Sequence, residues 1–290
     1  MDYPALRSIP IVEGIDFSVL KQAEQIRKQK EQQAQALLAG IDAYLLAELD
    51  ITVPQQNNSL DNRIFRVPFS EIAGNRLDPD YSQTAYKNLR DAIRRSRFKV
   101  VLLKEITNGV FSGKTPASGD YADEITPYPI IKVKSYSQES IDLSKTDYIY
   151  LPQVHRAQKG DIFILSAAHQ PEYVGRHIKY LNEEPSISTS FVGELICIRA
   201  NQQCESMYLF SLLSLDIFKT LINREKTGQT SHVYGKNLKF LEIPLPPSEK
   251  QKEIVNHIMD IRAQAKQLQT EAAQILADAK AEVERMILGK

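Results

Sequence analysis

The chain has 290 residues, 42% of them hydrophobic and 25% charged, with a formal net charge of zero. That length can bury a core and suggests one or two domains, while no apolar run approaches the roughly 20 residues that a membrane helix needs. The start, Met1-Asp-Tyr-Pro-Ala-Leu6, has neither the basic flank nor the apolar core of a secretion signal, so a cytoplasmic protein is expected.

The first segment, about 16–50, is rich in Gln, Lys, Glu and Ala and holds no Pro. Ala23, Ile26, Ala34, Leu37, Ile41, Leu45 and Leu49 follow helical steps, with Lys30 interrupting the stripe and Gly40 weakening its end. Ile51-Thr-Val-Pro54 and the polar run Gln55–Ser59 read as its close and a linker. The spacing therefore predicts an N-terminal helix and linker over 1–61.

The middle, 62–247, changes texture. Short β-rich runs recur at 99–103, 130–134, 148–150, 161–165 and 195–199, separated by turns such as Ser118-Gly119-Asp120 and Lys159-Gly160-Asp161. Helical patches fall at about 80–96 and 206–224, and no internal repeat is visible. Lys and Arg outnumber Asp and Glu by four here, while the flanks carry the opposite excess. A mildly basic middle between acidic helical ends is compatible with nucleic-acid binding without demanding it.

The last segment, 248–290, carries the clearest pattern. Ser248 follows Pro246-Pro247 and precedes Gln251, as in a capping box. Ile254, Ile258, Ile261, Ala265, Leu268, Ala272, Ile275 and Ala279 then alternate steps of four and three, the rhythm of a coiled-coil seam. Val283 and Met286 continue it after a stutter. Such a helix, about 60 Å long at ~1.5 Å per residue, has too narrow an apolar stripe to stand alone in water. Its expected partner is the first helix, antiparallel, with room for helices of a second chain. The predicted fold is α+β: one globular α/β-mixed domain inserted between long helices that form an antiparallel coiled coil.

Motifs for catalysis are lacking. Gly109-Val-Phe-Ser-Gly113-Lys114-Thr115 has three residues between its glycines where a phosphate-binding loop needs four, and Pro116 follows instead of a helix. The five histidines, at 155, 169, 177, 232 and 257, form no metal-ligand spacing. Cys197 and Cys204 match no zinc pattern and read as structural thiols. There is no Gly-x-Ser-x-Gly elbow, no Asp/Asn-Pro-Pro-Tyr/Phe of an amino-methyltransferase and no convincing nuclease core. A non-catalytic chain without metal or cofactor is expected.

Several stretches, in order, resemble the specificity (S) subunits of type I restriction-modification systems. Leu238-Lys-Phe-Leu-Glu-Ile-Pro-Leu-Pro-Pro247 followed by Ser-Glu-Lys-Gln251-Lys-Glu-Ile-Val255 is similar to the junction where a target-recognition domain meets a conserved-region helix. Thr227-Gly-Gln-Thr-Ser231, Phe111-Ser-Gly-Lys-Thr-Pro116, Gly160-Asp-Ile-Phe-Ile164 and Arg76-Leu-Asp-Pro-Asp-Tyr81 resemble further landmarks of these domains. Ile41–Leu49 and Ala279–Gly289 resemble the ends of the conserved helices. The family's subunits carry two recognition domains and this chain one, so it resembles a half-length form, natural or a fragment. The family's short Gly-x-x-Gly pattern is replaced by Ala168-His-Gln-Pro-Glu-Tyr-Val-Gly175-Arg.

The resemblance implies a sequence-specific, double-stranded-DNA-binding subunit that reads one half of a bipartite target. It also implies docking to methyltransferase (M) and restriction (R) subunits and pairing with a second S-like chain, as a homodimer. DNA contacts are expected from loops of the middle domain: Lys114 and Thr115; Lys132, Lys134 and Tyr136, the lysines sharing a strand face; Arg176 and His177; and Gln229, Thr230, Ser231 and His232. Competing readings are an S-like specificity element of a type II system, a coiled-coil protein-assembly scaffold, and a hydrolytic enzyme with an unrecognised site.

Overall fold

The computed structural model describes residues 17–55, 59, 64–69, 76–228 and 231–288. Its helices are α1 (Ser18–Glu48), α2 (Thr84–Arg94), α3 (Ser206–Leu213), α4 (Asp216–Arg224), α5 (Gly235–Leu238) and α6 (Ser248–Leu288). The strands are β1 (Val100–Leu102), β2 (Thr107–Ser112), β3 (Tyr121–Ala122), β4 (Pro129–Ile131), β5 (Asp147–Ile149), β6 (Ile162–Leu165), β7 (Ile178–Tyr180), β8 (Ser190–Phe191), β9 (Leu195–Ala200) and β10 (Glu242–Pro244). The chain forms two units, one from the segments up to Tyr44 and from Asn256 onward, the other from Leu45 to Val255. The α+β reading holds, with the sheets lying in sequence between the long helices.

In the helical unit α1 and α6 run antiparallel. Lys30 Nζ lies 2.6 Å from Glu271 Oε2, and the Tyr44 ring sits 4.2 Å from that of His257. Moving fourteen residues forward along α1 thus moves fourteen back along α6. On α6, Ile258, Ala265, Ala272 and Ala279 are buried every seventh residue, and Val283 follows after the extra step. Ala23, Ala34 and Ile41 are their buried counterparts on α1. The alanines leave no bulk between the helices, so the backbones can approach closely. Ile261, Leu268 and Ile275 are only half-buried, because two helices can cover one stripe completely but not the second. Ile254 is fully buried and belongs to the other unit.

Two details of the α1 pattern differ from the sequence reading. Ile26 is 42% exposed, off the seam. Lys30, which interrupted the stripe, reaches Glu271 on the facing helix. A partly exposed pair of this kind contributes about 0–1 kcal/mol, so it favours the register more than it adds stability.

The globular unit stacks two four-stranded sheets and a helical layer. One sheet has the order β2-β9-β6-β7, antiparallel throughout. The other runs β3-β5-β4-β8, with β4 and β8 parallel. Phe163, Leu165, Leu195 and Cys197 point from the first sheet toward Ile130, Ile131, Ile149 and Phe191 of the second in one core. The alternate residues Ile162, Ile164, Ile196 and Ile198 are also fully buried. Their face meets α3, with Tyr180 of β7 and Phe210 packing at 5.4 Å. Burial on both faces explains why β6 reads as an unbroken apolar run.

Several family-like motifs prove to be packing devices. The Asp161 carboxylate, 1% exposed, accepts both Arg199 Nε and Nη2 at 2.8 Å. Gly160 next to it has φ +89°. At Gly113 a Cβ would lie 2.0 Å from the Phe191 carbonyl oxygen, so only glycine lets this segment cross β8. Gln251 does not complete a capping box. Its Nε2 donates to the carbonyls of Gln203 (3.0 Å) and Pro246 (2.8 Å), and its Oε1 accepts from Glu205 N–H (2.8 Å). These bonds stitch the start of α6 to the start of α3. Ser248 is accordingly the first helical residue, with Gln251 N–H donating to the Pro247 carbonyl.

Candidate nucleic-acid interface

A loop ending in Gly175 and the C-terminal end of α4 face the segment 76–86 across a cleft of about 650 Å³. Gly175 has φ +74°, and a Cβ there would come within 2.9 Å of Ile222 in α4. Glycine is thus required both for the turn and for the approach. The next residue, Arg176, is exposed and lines the cleft.

Arg224, the last residue of α4, organises the opposite wall. Its Nε donates to the Tyr81 carbonyl at 2.8 Å, and its guanidinium lies 3.6 Å from the centre of the Tyr81 ring. Arg76 lies 4.7 Å from the same ring and pairs with Asp78. Glu225, beside Arg224, is pushed up in pKa by burial, which its cationic neighbours only partly offset. Lys226 Nζ donates to the Pro171 carbonyl at 2.5 Å. Burial, then the charge of Arg176, lowers the pKa of this lysine. Positive charge is therefore crowded here.

An adjoining depression shares Arg76, Tyr81, Gln83, Tyr86 and Arg224 with the cleft, and adds Arg66, Lys87, Arg90 and Arg94. Arg90 and Arg94 are committed to Glu242 of β10, at 3.3 and 2.7 Å. That fork ties α2 to the two-stranded β1–β10 ribbon.

The sequence-predicted contact residues separate into three places. Arg176 and Ser231 line the cleft, Ser231 with φ +45° in a turn closed by mutual backbone bonds between Thr227 and His232, both 2.9 Å. His232 is half-buried, near the Tyr234 ring at 6.1 Å. Gln229 and Thr230 lie outside the described residues. His177 packs on Tyr173 at 4.5 Å, and burial, with Lys179 and Lys219 nearby, lowers its pKa and favours the neutral ring.

Lys114 and Thr115 lie elsewhere. Lys114 is exposed beside a separate surface depression that includes Leu151, Val154 and His155. The Thr115 hydroxyl is engaged within the fold, donating to Glu194 at 2.8 Å and accepting Gly193 N–H at 3.0 Å. The third group is Lys132, Lys134 and Tyr136. Both lysines pair with Asp147, Lys132 at 3.1 Å. They converge because the chain leaves β4 in a 3₁₀ turn, Val133–Ser135, not by strand alternation. The Tyr136 hydroxyl is buried without a hydrogen-bond partner. As placed, Tyr136 offers no hydroxyl at the surface, which corrects the expectation drawn from its sequence position.

Sequence reasoning did not bring together Arg76, Tyr81, Arg224 and Lys226, which line one cleft. Arg76–Tyr81 stood out only as a family landmark, and the bases near 224–226 look like ordinary helix-end cations. Among the described residues, no group of three or more His, Cys, Asp or Glu could hold a metal ion. Likewise, no helix there is long and apolar enough to cross a membrane.

Comparison with known proteins agrees with this architecture. Residues 95–277 match the family model described as the type I restriction modification DNA specificity domain. A putative type I restriction enzyme MjaX specificity subunit of Methanocaldococcus jannaschii is 29% identical over 168 residues, 54% of this chain and 38% of that protein. The HsdS subunit from Thermoanaerobacter tengcongensis superposes with a TM-score of 0.53 at 17% identity, covering 93% of this chain and 55% of that one. A chain solved in a study of complex assembly and conformational transition of the type I R-M system gives 0.56, also at 17% identity, with coverages of 93% and 55%. The chain spans little more than half the length of these solved relatives. With the family model covering well over half of its residues, the chain belongs to the type I restriction modification DNA specificity domain family.

Proposed function

We propose that the chain is the non-catalytic, DNA-binding specificity subunit of a type I restriction-modification complex, with residues 62–247 as its recognition domain. The family match over 95–277 carries this reading. The cationic surface of the same unit supports it. In this account the domain reads one half of a bipartite target through polar side chains at base edges, while Lys and Arg on phosphates fix its register. The antiparallel helices serve as a spacer. Their half-buried stripe of Ile261, Leu268 and Ile275 takes up helices of a second S-like chain, giving a twofold assembly and a palindromic target. M and R subunits dock on the assembly and supply the methylation and cleavage that this chain lacks.

The test is duplex-DNA binding by the purified chain across a salt series. Binding that neutralises Z phosphates weakens with a log–log slope near −0.9Z. A steep negative slope, with no turnover unless M subunits are added, is the expected result. Hydrolytic turnover by the chain alone, or no DNA binding at any salt, contradicts the proposal.

A further inference from the structure

The cleft and the depression adjoining it share Arg76, Tyr81, Gln83, Tyr86 and Arg224, so they form a single groove. Arg176, Lys226 and Ser231 line one end of it, and Arg66 and Lys87 the other. Among the described residues, no carboxylate lines the second depression. In the first, Asp78 is taken by Arg76, and Asp80 accepts a hydrogen bond from Gln83 at 3.2 Å.

Two properties of the groove define its ligand. First, its central cations are held in place before anything binds. Arg224 is anchored on the Tyr81 carbonyl, Arg76 on the Arg224 carbonyl at 3.5 Å, and Lys226 on the Pro171 carbonyl. Little side-chain entropy remains to be lost on binding. Among the described residues, neither Arg176 nor Lys226 has an ion-pair partner. Burial first, and then the charge of Arg176, lowers the Lys226 pKa, a cost that an anion bound beside these cations relieves. Second, the central ring of the groove is not free to stack on bases. The Tyr81 ring is already engaged by Arg224 at 3.6 Å and Arg76 at 4.7 Å. Arg76 and Arg224 are paired with Asp78 and Glu225, the latter at 3.4 Å, so the groove offers the N–H donors of all four cations and the uncompensated charge of Arg176 and Lys226, which suit phosphate oxygens.

The geometry points to this groove as a clamp for the sugar-phosphate backbone of duplex DNA, gripping one strand independently of sequence while other loops of the domain read the bases. The assignment rests on the DNA-binding reading above and goes beyond it. It places the backbone contacts on Arg76, Arg176, Arg224 and Lys226, three of which the sequence did not single out as contacts.

The experiment compares wild type with the double variant Arg176→Gln/Lys226→Gln, and with Arg176→Glu, whose exposed side chain has no ion pair to lose. Each is titrated into several 30-bp duplexes of unrelated sequence over a salt series. Neutralising two phosphate contacts makes the log–log slope shallower by about 2. The clamp requires that change on every duplex, with affinity lowered by a similar factor on all of them. Arg176→Glu must weaken binding similarly while melting at the wild-type temperature. If wild type binds with a steep slope and the variants match it, the clamp is wrong and the DNA-binding reading stands. If affinity drops on one sequence only, the groove reads bases and the clamp is again wrong. If wild type binds no duplex at any salt, both readings fall.

Discussion

Replacing Gln251 tests whether the junction between the globular domain and the last helix is held by one amide. The side chain is 1% exposed and makes three hydrogen bonds of 2.8–3.0 Å, all to backbone groups. Gln251→Ala leaves Glu205 N–H and the carbonyls of Gln203 and Pro246 without this partner. At about 1 kcal/mol net per ordinary hydrogen bond, the loss is at least ~3 kcal/mol, and more where water cannot replace the amide. Gln251→Glu is more diagnostic still. It keeps an acceptor for Glu205 N–H but sets a carboxylate oxygen against two carbonyls. Protonation restores one donor, so the introduced carboxyl binds its proton more tightly in the folded than in the unfolded state. Stability relative to wild type should therefore improve as pH falls, the reverse of ordinary acid unfolding. Urea unfolding between pH 4 and 8 measures both effects, with a lower midpoint and an unchanged m-value expected for the alanine variant. An alanine midpoint equal to wild type, or a glutamate variant whose deficit does not change with pH, would refute the stitch.

Glu242 supplies a second pH signature. Burial works against its ionisation, but Arg94 and Arg90 outweigh that and hold its carboxyl below the usual carboxylate range. Its contribution is present above the unfolded-state pKa and is lost as pH falls through the folded one. Gln in its place should flatten the acid limb of the stability profile, and an unaltered limb by circular dichroism would count against the fork. Asp147 neutralises both Lys132 and Lys134. If these lysines face DNA, Asp147→Asn should tighten non-specific duplex binding, whereas unchanged affinity removes that surface from the interface. On the helices, Ala272→Leu forces three extra carbons into a closed seam and should cost about 1–3 kcal/mol. Leu268→Asp should instead lower the oligomeric state. Thermal melts and light scattering separate the two, and an Ala272→Leu protein melting at the wild-type temperature would argue against close helix approach.

The sequence revealed most where burial imposes a period. The heptad of α6 is legible because Ile258, Ala265, Ala272 and Ala279 must all meet α1, and β6 is legible because it is buried on both faces. Strand β10 was missed: Glu242-Ile-Pro244 is three residues long, contains Pro, and pairs with β1 far back in the chain. The residues from Gly109 to Thr115 stood out as a failed phosphate-loop spacing. Gly109–Ser112 in fact belongs to strand β2, where the glycine accompanies a register shift, and Gly113 makes room for β8. Lys132 and Lys134 were read by strand alternation, yet the strand stops at Ile131. The groove was the least legible element. It draws on residues 65–68 and 76–94, Arg176, residues 220–228 and Ser231, and nothing local in any one segment shows that their cations converge.

The central claim is that this chain chooses the DNA sequence on which a methyltransferase acts. Co-expression with a type I methyltransferase (M) subunit, followed by methylome sequencing of the host DNA, tests this most directly. The account predicts a methylated motif of two short specified halves around a fixed gap, palindromic if two identical chains pair, and absent when this chain is omitted. A stable complex that methylates no defined motif, or a motif that persists without this chain, would contradict it.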